Sequence, residues 1–283
     1  MPIEVLEETP TSIRLLAKGY PLAVLNAIRR AALELAPKMA VDFIAVDRND
    51  STLFNEVLAH RLAMIPLRSE EALERYAPPE ACMECTPEEA EADKCVVDGK
   101  PCYVRLYLDA SAEGKQIIVY SKDLKSEDED VRPVYENIPV VPLIGDQKVK
   151  VIAYARLGRG REHAKWMPAT VSIVKPLLKG ISVKEGLCDA ECQKECAEKC
   201  KEAFVMKDGK LTLKEGTTLS MVMYCIEYVC EGKGIRPVFE EDTYLFELES
   251  DGSLSARRTL VEAAKAVVEK LSELKNRLQS REG

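Results

Sequence analysis

Histidine is scarce in this sequence of 283 residues, which contains only His60 and His163. The sequence also lacks a Gly-x-Ser-x-Gly nucleophile motif, a Gly-rich phosphate-binding loop ending in Lys-Ser/Thr, and a close group of three aspartates. These absences argue against serine hydrolase chemistry, nucleotide hydrolysis and two-metal phosphoryl transfer. We therefore expect no active site on this chain, and we interpret both histidines as packing or hydrogen-bonding residues.

Long apolar runs and an excess of basic residues are also missing. No run approaches the roughly 18 apolar residues of a membrane-spanning helix, and the N-terminal segment predicts a strand instead of a signal peptide. The net charge of −8 argues against direct binding of nucleic acid by this chain, because neutralising phosphates requires a basic surface. We expect a cytoplasmic protein. Its length and its hydrophobic fraction of 46% allow two or three compact units.

Two amphipathic helices are predicted in the first quarter of the chain. The first begins at Pro21, where a missing N–H costs nothing, and it ends before Pro37. Its apolar positions at helical spacing are Leu22, Leu25, Ile28, Ala32 and Leu35. The second helix follows a cap at Ser51 or Thr52 and ends before Pro66. Its apolar side is predicted to consist of Leu53, Val57, Leu58 and Leu62.

A long helix is predicted from Ser253 towards the C-terminal end. Its apolar residues are spaced four, three, four, three and four apart, which is a heptad seam of about two and a half repeats. The seam consists of Leu260, Ala264, Val267, Leu271, Leu274 and Leu278. Val261 and Val268 widen it into a stripe. Such a stripe packs either on the helix's own domain or on a partner chain, and the spacing leaves both open.

Alternating apolar residues predict several strands, and together with the helices they indicate an α+β fold. Residues 103–109 and 116–120 flank Gly114, which predicts a hairpin. Residues 138–143 contain two prolines and are not expected to form a central strand. A second hairpin is predicted around Asp208-Gly209, because this pair supplies the positive φ that a tight turn needs.

Ten cysteines are many for a cytosolic protein, and they fall into groups. Cys82, Cys85, Cys95 and Cys102 could bring four thiolates to one zinc ion. The first pair has the spacing of a zinc knuckle, whereas the second pair is more widely spaced. Two disulfides are the competing interpretation, since intracellular proteins of hyperthermophiles do use them.

A second group of cysteines recurs every four residues, at Cys188, Cys192, Cys196 and Cys200. On one straight helix these thiols would span roughly 18 Å, so they cannot all reach one metal ion. Cys225 and Cys230 follow further along the chain. Adjacent pairs of the group could still act together.

A basic, glycine-containing loop precedes the only tryptophan, Trp166. Arg156, Arg159 and Arg161 alternate there with Gly158 and Gly160. The loop either binds a phosphate-like group or faces a partner protein, and the pattern alone does not decide between them.

Three strings of residues together resemble the alpha-like subunits of multisubunit RNA polymerases, and among them the D-type family of the archaea. These strings are Leu25–Arg30, Glu56–Leu67 and Glu162–Trp166. The resemblance implies a non-catalytic assembly subunit of DNA-directed RNA polymerase, a nucleotidyltransferase complex. The expected partners are a small alpha-like subunit (archaeal L) and the two large catalytic subunits, with DNA contacted only through the complex. It also implies that Arg29 and Arg30 face a large subunit and that the C-terminal seam pairs with the small one.

The resemblance implies a division of the chain into three parts. Residues 1–39, 169–179 and 235–283 would form a discontinuous dimerisation domain, and residues 40–168 an inserted mixed α/β domain. Residues 180–234 would form a ferredoxin-like, cysteine-rich insert.

The resemblance also bears on cofactors. Eukaryotic relatives carry a four-cysteine zinc site in the inserted domain, which favours zinc at Cys82, Cys85, Cys95 and Cys102. Archaeal relatives often hold an iron–sulfur cluster in the ferredoxin-like insert, but cluster sites require Cys-x2-Cys-x2-Cys and a Cys-Pro pair. This chain has Ser220 to Cys225 in place of the triple, and Lys201 follows Cys200. We therefore expect the insert to keep its fold without a cluster.

Two other functions stay open at this point. A redox or metal-sensing protein built on the cysteine-rich insert would need a cluster or an exposed thiol of low pKa. A metal-dependent enzyme acting on a phosphorylated substrate would use the loop from Gly158 to Arg161, but no general base is visible beside it.

Overall fold

The computed structural model describes residues 2–184 and 186–280. Within this part of the chain the strands are β1 (Ile3–Glu8), β2 (Ser12–Lys18), β3 (Pro37–Asn49), β4 (Val96–Val97), β5 (Lys100–Pro101), β6 (Tyr103–Ser111), β7 (Lys115–Tyr120), β8 (Lys125–Ser126), β9 (Pro139–Gly145), β10 (Lys148–Arg159), β11 (Ala169–Val183), β12 (Phe204–Lys207), β13 (Lys210–Leu213) and β14 (Ile235–Ser250). The helices are α1 (Leu22–Glu34), α2 (Asn55–Ala63), α3 (Ala72–Arg75), α4 (Pro79–Cys82), α5 (Pro87–Glu91), α6 (Ala190–Lys199), α7 (Leu219–Tyr224) and α8 (Ala256–Gln279). None of these helices is long and apolar enough to cross a membrane.

The chain divides into two compact units. The smaller unit comprises Met1–Glu4, Leu16–Leu22 and Val174–Leu245, and the larger unit comprises Val5–Leu15, Ala23–Ile173 and Phe246–Gly283. A four-stranded sheet with the order β1-β2-β14-β11 brings together strands from both chain ends.

The core of the larger unit lies on a second four-stranded sheet, with the order β3-β10-β6-β8. The central strand β10 places Val151 opposite Val46 of β3 and opposite Leu108 of β6. Helix α2 covers this core with Leu58 and Leu62, both completely buried. An α+β fold was predicted from the sequence, and the mixed helices and strands confirm that class.

The hairpin predicted for residues 103–109 and 116–120 is wrong. Strand β6 pairs with β10 and β8, whereas β7 pairs with β9 in a separate two-stranded sheet. The end of β6 is already occupied, because Ser111 is aligned with Lys148 of β10. Strand β9 contains Pro139 and Pro142 and belongs to a sheet with only two strands. It is therefore not a central strand, as its prolines predicted.

The predicted start of the second helix is also wrong. Helix α2 begins at Asn55, and its N-cap residue Phe54 makes no side-chain capping hydrogen bond. Ser51 instead closes a turn with Asn49, donating its hydroxyl and its backbone N–H to the Asn49 Oδ1 at 2.6 and 3.2 Å. Serine competes for local backbone groups in turns as well as at caps, so the sequence signal was ambiguous.

The smaller unit contains the predicted hairpin around Asp208 and Gly209. Strands β12 and β13 pair with Lys207 opposite Lys210, so the loop has two residues. Both loop residues have positive φ, 49° and 70°, as the Asp-Gly signal required. Half-cystines form much of the buried cluster of this unit, together with Phe204 and Val222.

Candidate subunit interface

Helix α8 is anchored at its N-terminal end within the larger unit. The Ser255 hydroxyl caps the helix by accepting the Arg258 N–H at 3.1 Å. The Arg258 guanidinium reaches Glu74 at 2.7 Å, and the Ser255 N–H donates to Glu70 at 2.6 Å. These contacts fix the direction of the first turn, and with it the side of the helix that faces the core.

The side of α8 that packs on its own chain is made of small residues. Ala256, Thr259, Ala263 and Ala266 are buried. Small side chains contribute little to hydrophobic periodicity, and for that reason the sequence pattern did not predict that these residues are buried. The predicted seam runs beside this buried side: Leu260, Ala264 and Val267 are half-buried.

The remaining apolar residues of α8 are uncovered and define what we call the α8 stripe. Its members and their exposed fractions are Val261 43%, Val268 61%, Leu271 61%, Leu274 55% and Leu278 59%. The chain therefore buries one face of this helix and leaves a second apolar face in solvent. A contiguous exposed apolar face of this kind is a candidate interaction site.

Two further exposed groups lie on α1. Arg29 donates from Nε to Asn26 Oδ1 at 2.8 Å, and Arg30 lies 3.6 Å from Glu34 one turn later. The buried residues of α1 are Leu25, Ala31 and Ala32. Arg29 lies beside this buried side and is partly exposed, whereas Arg30 is exposed.

Helix α2 carries an exposed apolar face that the sequence analysis missed. Phe54 is 78% exposed, Met64 49% and Val57 41%. The prediction placed Val57 on the same side as Leu58 and Leu62, which is wrong. The available signal was the spacing of seven residues between Val57 and Met64, which places them two helical turns apart on one side.

The four cysteines of the larger unit come together in one small region. The Cys85 N–H donates to the Cys82 carbonyl at 3.3 Å, which closes a tight turn. The Cys102 N–H donates to the Cys95 carbonyl at 2.9 Å across the β4–β5 hairpin. The cysteines form two disulfides, Cys82–Cys102 and Cys85–Cys95. The sequence allowed either two disulfides or a zinc site here, and both stay predictions for the protein in solution.

The same region also fits a zinc ion by its donor set. The ligand atoms of Cys85, Glu89 and Cys95 lie within 4.8 Å of one another, and Cys95 packs against the buried pair Cys82 and Cys102. A tight turn and a hairpin that each present two cysteines are the scaffold that structural zinc uses. Zinc at these residues therefore stays a prediction for the reduced protein.

The cysteines of the smaller unit form three disulfides. Cys188 pairs with Cys192, Cys196 with Cys230, and Cys200 with Cys225. The last two connect helix α6 and its C-cap to the helical turn Cys225–Val229 and its C-cap. The four cysteines near α6 therefore act in pairs and not as one group of four.

The basic loop before Trp166 is organised by an internal ion-pair cluster. The guanidinium of Arg156 donates to Asp42 at 2.8 Å and to Glu162 at 3.2 Å, and it lies 4.3 Å from the centre of the Trp166 ring. Lys165 reaches Asp42 at 3.1 Å. Burial opposes ionisation of Asp42, but the combined attraction of Arg156 and Lys165 outweighs it and holds the pKa of Asp42 below its usual value.

The other features of this loop are equally structural. Arg159 forms an ion pair with Glu80 and donates to the Leu35 carbonyl. A Cβ on Gly158 would lie 2.3 Å from the Trp166 ring. A Cβ on Gly160 would lie 2.0 Å from the Leu33 carbonyl oxygen. The glycines therefore permit close packing, and two of the three arginines already have carboxylate partners. A phosphate-binding loop is not what this segment forms.

The larger unit matches a known family. A sequence model of the family described as "RNA polymerase Rpb3/RpoA insert domain" matches residues 44–173. This range contains α2, the β3-β10-β6-β8 sheet from Ile44 onward, and most of the ion-pair cluster around Arg156. The class of protein is thus that of RNA polymerase subunits with this insert domain.

Relatives match the chain over nearly its whole length. The DNA-directed RNA polymerase subunit Rpo3 of Aeropyrum pernix is 33% identical over 98% of this chain and 95% of its own length. The Rpo3 subunits of Methanothermobacter thermautotrophicus and Pyrobaculum calidifontis are 35% and 34% identical, over 97% and 96% of this chain and 97% and 94% of their own lengths. The chain belongs to the family of DNA-directed RNA polymerase subunits named Rpo3. The resemblance predicted from the sequence is confirmed at this level.

Proposed function

We propose that this chain is the non-catalytic assembly subunit of a DNA-directed RNA polymerase, equivalent to the D-type alpha-like subunits of the archaea and working in the cytoplasm. The α8 stripe is the observation that carries the proposal. The stripe is an apolar helix face that the chain leaves exposed to solvent. The relatives of this chain are named as subunits of DNA-directed RNA polymerase. The partner on this stripe is the small alpha-like subunit, archaeal L. The seam residues Leu260, Ala264, Val267, Leu271, Leu274 and Leu278 form the contact.

Different segments of the chain have different roles in this proposal. Residues 1–39, 169–179 and 235–283 act as the dimerisation domain, and residues 40–168 as the inserted domain. Residues 180–234 form the ferredoxin-like insert. DNA is contacted only through the assembled complex, in keeping with the net charge of −8.

The large catalytic subunits dock on a second surface, which includes Arg29 and Arg30. Arginine suits this contact because its planar fork pairs with carboxylates in a bidentate manner. The exposed apolar face of α2, with Phe54, Val57 and Met64, extends the set of uncovered groups in the larger unit. Neither surface overlaps the α8 stripe in residues, so one chain can hold both kinds of partner.

The cysteines have structural roles in this proposal. In reducing conditions Cys82, Cys85, Cys95 and Cys102 hold one zinc ion, and under oxidation they form the two disulfides. The smaller unit holds no iron–sulfur cluster, because its cysteines lack the required spacing. Metal analysis of the anaerobically purified chain tests both statements. We expect close to one zinc and no stoichiometric iron, and a brown chromophore with a visible absorption band would contradict the second statement.

The pairing itself is tested by co-expression with the small alpha-like subunit of the same organism. We expect a tight heterodimer of the wild-type chain. The substitution Leu271→Lys places a charge in the centre of the α8 stripe and should abolish pairing. The matched control is Ser272→Lys, one residue further along the same exposed helix. Size-exclusion chromatography with detection of molar mass distinguishes the heterodimer from the single chains. If Leu271→Lys still paired, the assignment of the seam as the contact surface would be wrong.

A further inference from the structure

The α8 stripe has a rim of positive charge. In a heptad the positions next to the seam flank the partner helix and set partner choice. In the last three turns of α8 the charged residues at these flanking positions are Lys270, Lys275 and Arg277. All three are exposed. The acidic residues of this part, Glu269 and Glu273, occupy positions further round the helix.

Two of the three cations have no local partner. Arg277 forms an ion pair with Glu273 one turn earlier. For Lys270 and Lys275, no ion pair occurs with any residue in the described part of the chain, 2–184 and 186–280. Their charges are therefore available to a helix that packs on Leu271, Leu274 and Leu278.

A second copy of this chain is a poor occupant of the stripe. In a parallel pair of α8 helices, Lys270 of one copy would face Lys275 of the other, and in an antiparallel pair aligned on the same seam Lys270 would face Arg277. Juxtaposed like charges oppose pairing even where the apolar faces fit. The apolar stripe alone would bind any helix with a matching apolar side. The positively charged rim discriminates between a second copy of this chain and a helix with acidic flanks.

We infer that this rim selects a partner helix whose apolar side is flanked by aspartate and glutamate, and that it rejects a second copy of this chain. The inference rests on the proposed function and adds the chemistry of the partner's surface. Opposite charges at the flanks raise the association rate and fix the register, while the apolar residues supply most of the affinity.

A triple charge reversal tests the inference. The variant Lys270→Glu, Lys275→Glu, Arg277→Glu keeps every member of the α8 stripe. Its probe is the small alpha-like subunit of the same organism, and calorimetric titration gives the affinity. We expect pairing at least tenfold weaker than wild type at about 0.05 M salt, and a smaller difference at about 1 M salt, where charges are screened within about 3 Å.

The matched control reverses three exposed lysines of the smaller unit, Lys194, Lys201 and Lys207, and changes the net charge by the same amount. It should pair like wild type. Equal affinity of the rim variant and wild type at low salt would overturn the inference while leaving the proposed function intact. Absence of pairing by wild type itself would overturn both.

A second experiment uses the isolated chain, without the small subunit, to test whether it pairs with itself. Sedimentation equilibrium of wild type should show a monomer at concentrations at which the mixed pair is complete. A wild-type dimer that Leu271→Lys dissolves would overturn the rejection of a second copy.

Discussion

At the scale of single residues, the clearest prediction concerns Asp42. This carboxylate holds two cations, Arg156 at 2.8 Å and Lys165 at 3.1 Å, whose side chains are each only 9% exposed. Asp42→Asn keeps the shape but removes the charge, and it leaves both cations without this partner. We expect a loss of about 3 kcal/mol in the free energy of unfolding. Urea denaturation measures it, and a loss below about 1 kcal/mol would contradict the structural role of the cluster.

The same residue gives a pH dependence with a definite sign. The pKa of Asp42 is lower in the folded chain than its ordinary value of 3.8, so the unfolded chain binds a proton at higher pH than the folded chain does. The stabilisation by Asp42 is therefore complete above about pH 4 and is lost as the pH falls through the folded-state pKa. The Asp42→Asn variant should lose less stability than wild type over this acid range.

Gly158 provides the second residue-scale prediction. Gly158→Ala drives a methyl group into the Trp166 ring at 2.3 Å, so the ring or the strand must move. We expect a cost of about 2–3 kcal/mol. Gly180→Ala is the control, because a Cβ there has no atom of the described residues within 4 Å and its φ needs no glycine. Thermal unfolding should separate the two variants, and equal melting temperatures would rule out close packing as the reason for this glycine.

These residues show where sequence reasoning stopped. The arginines and glycines of the loop were visible, but the sequence did not decide between ligand, partner and packing. The decisive facts are long-range: Asp42 lies more than a hundred residues before Arg156 and meets it only because β3 pairs with β10. Pairing register of this kind is not encoded in local pattern.

At the scale of elements, the N-terminal cap of α8 is testable. The Ser255 hydroxyl accepts the Arg258 N–H, and Ser255→Ala removes this contact while keeping the backbone bond to Glu70. We expect a cost of about 1 kcal/mol. Ser272→Ala, in the exposed middle of the same helix, should be neutral or slightly stabilising because alanine favours helix. A Ser255→Ala variant as stable as wild type would mean that the tertiary contacts hold the first turn unaided.

Elements were predicted with uneven success, and the reason is physical. Helix α8 and the β12–β13 hairpin were found because strong local signals agree with their final environment. The hairpin between β6 and β7 failed because β10, which starts after residue 145, competes for the edge of β6. The existence of helix α2 was predicted, but its start was wrong and its two apolar faces were merged into one. Local pattern offers no means of telling a face covered by its own core from one left for a partner.

At the scale of the whole molecule, the two units depend on different forces. The larger unit has an extensive apolar core, whereas half-cystines make up much of the buried cluster of the smaller unit. Below the size at which a core suffices, cross-links commonly supply the missing stability. Reduction should therefore affect the two units unequally.

The Cys196–Cys230 disulfide allows a graded test of that difference. It closes 34 residues, whereas Cys188–Cys192 closes 4. Chain-entropy arguments assign about 4 kcal/mol to the first loop and about 2 kcal/mol to the second. We expect the double variant Cys196→Ser, Cys230→Ser to increase hydrogen exchange throughout β12, β13 and α6, and Cys188→Ser, Cys192→Ser to do so less. Exchange in β3 and β10 of the larger unit should stay at the wild-type level in both variants. Equal protection of the smaller unit in wild type and both variants would show that its apolar residues stabilise it without the disulfides.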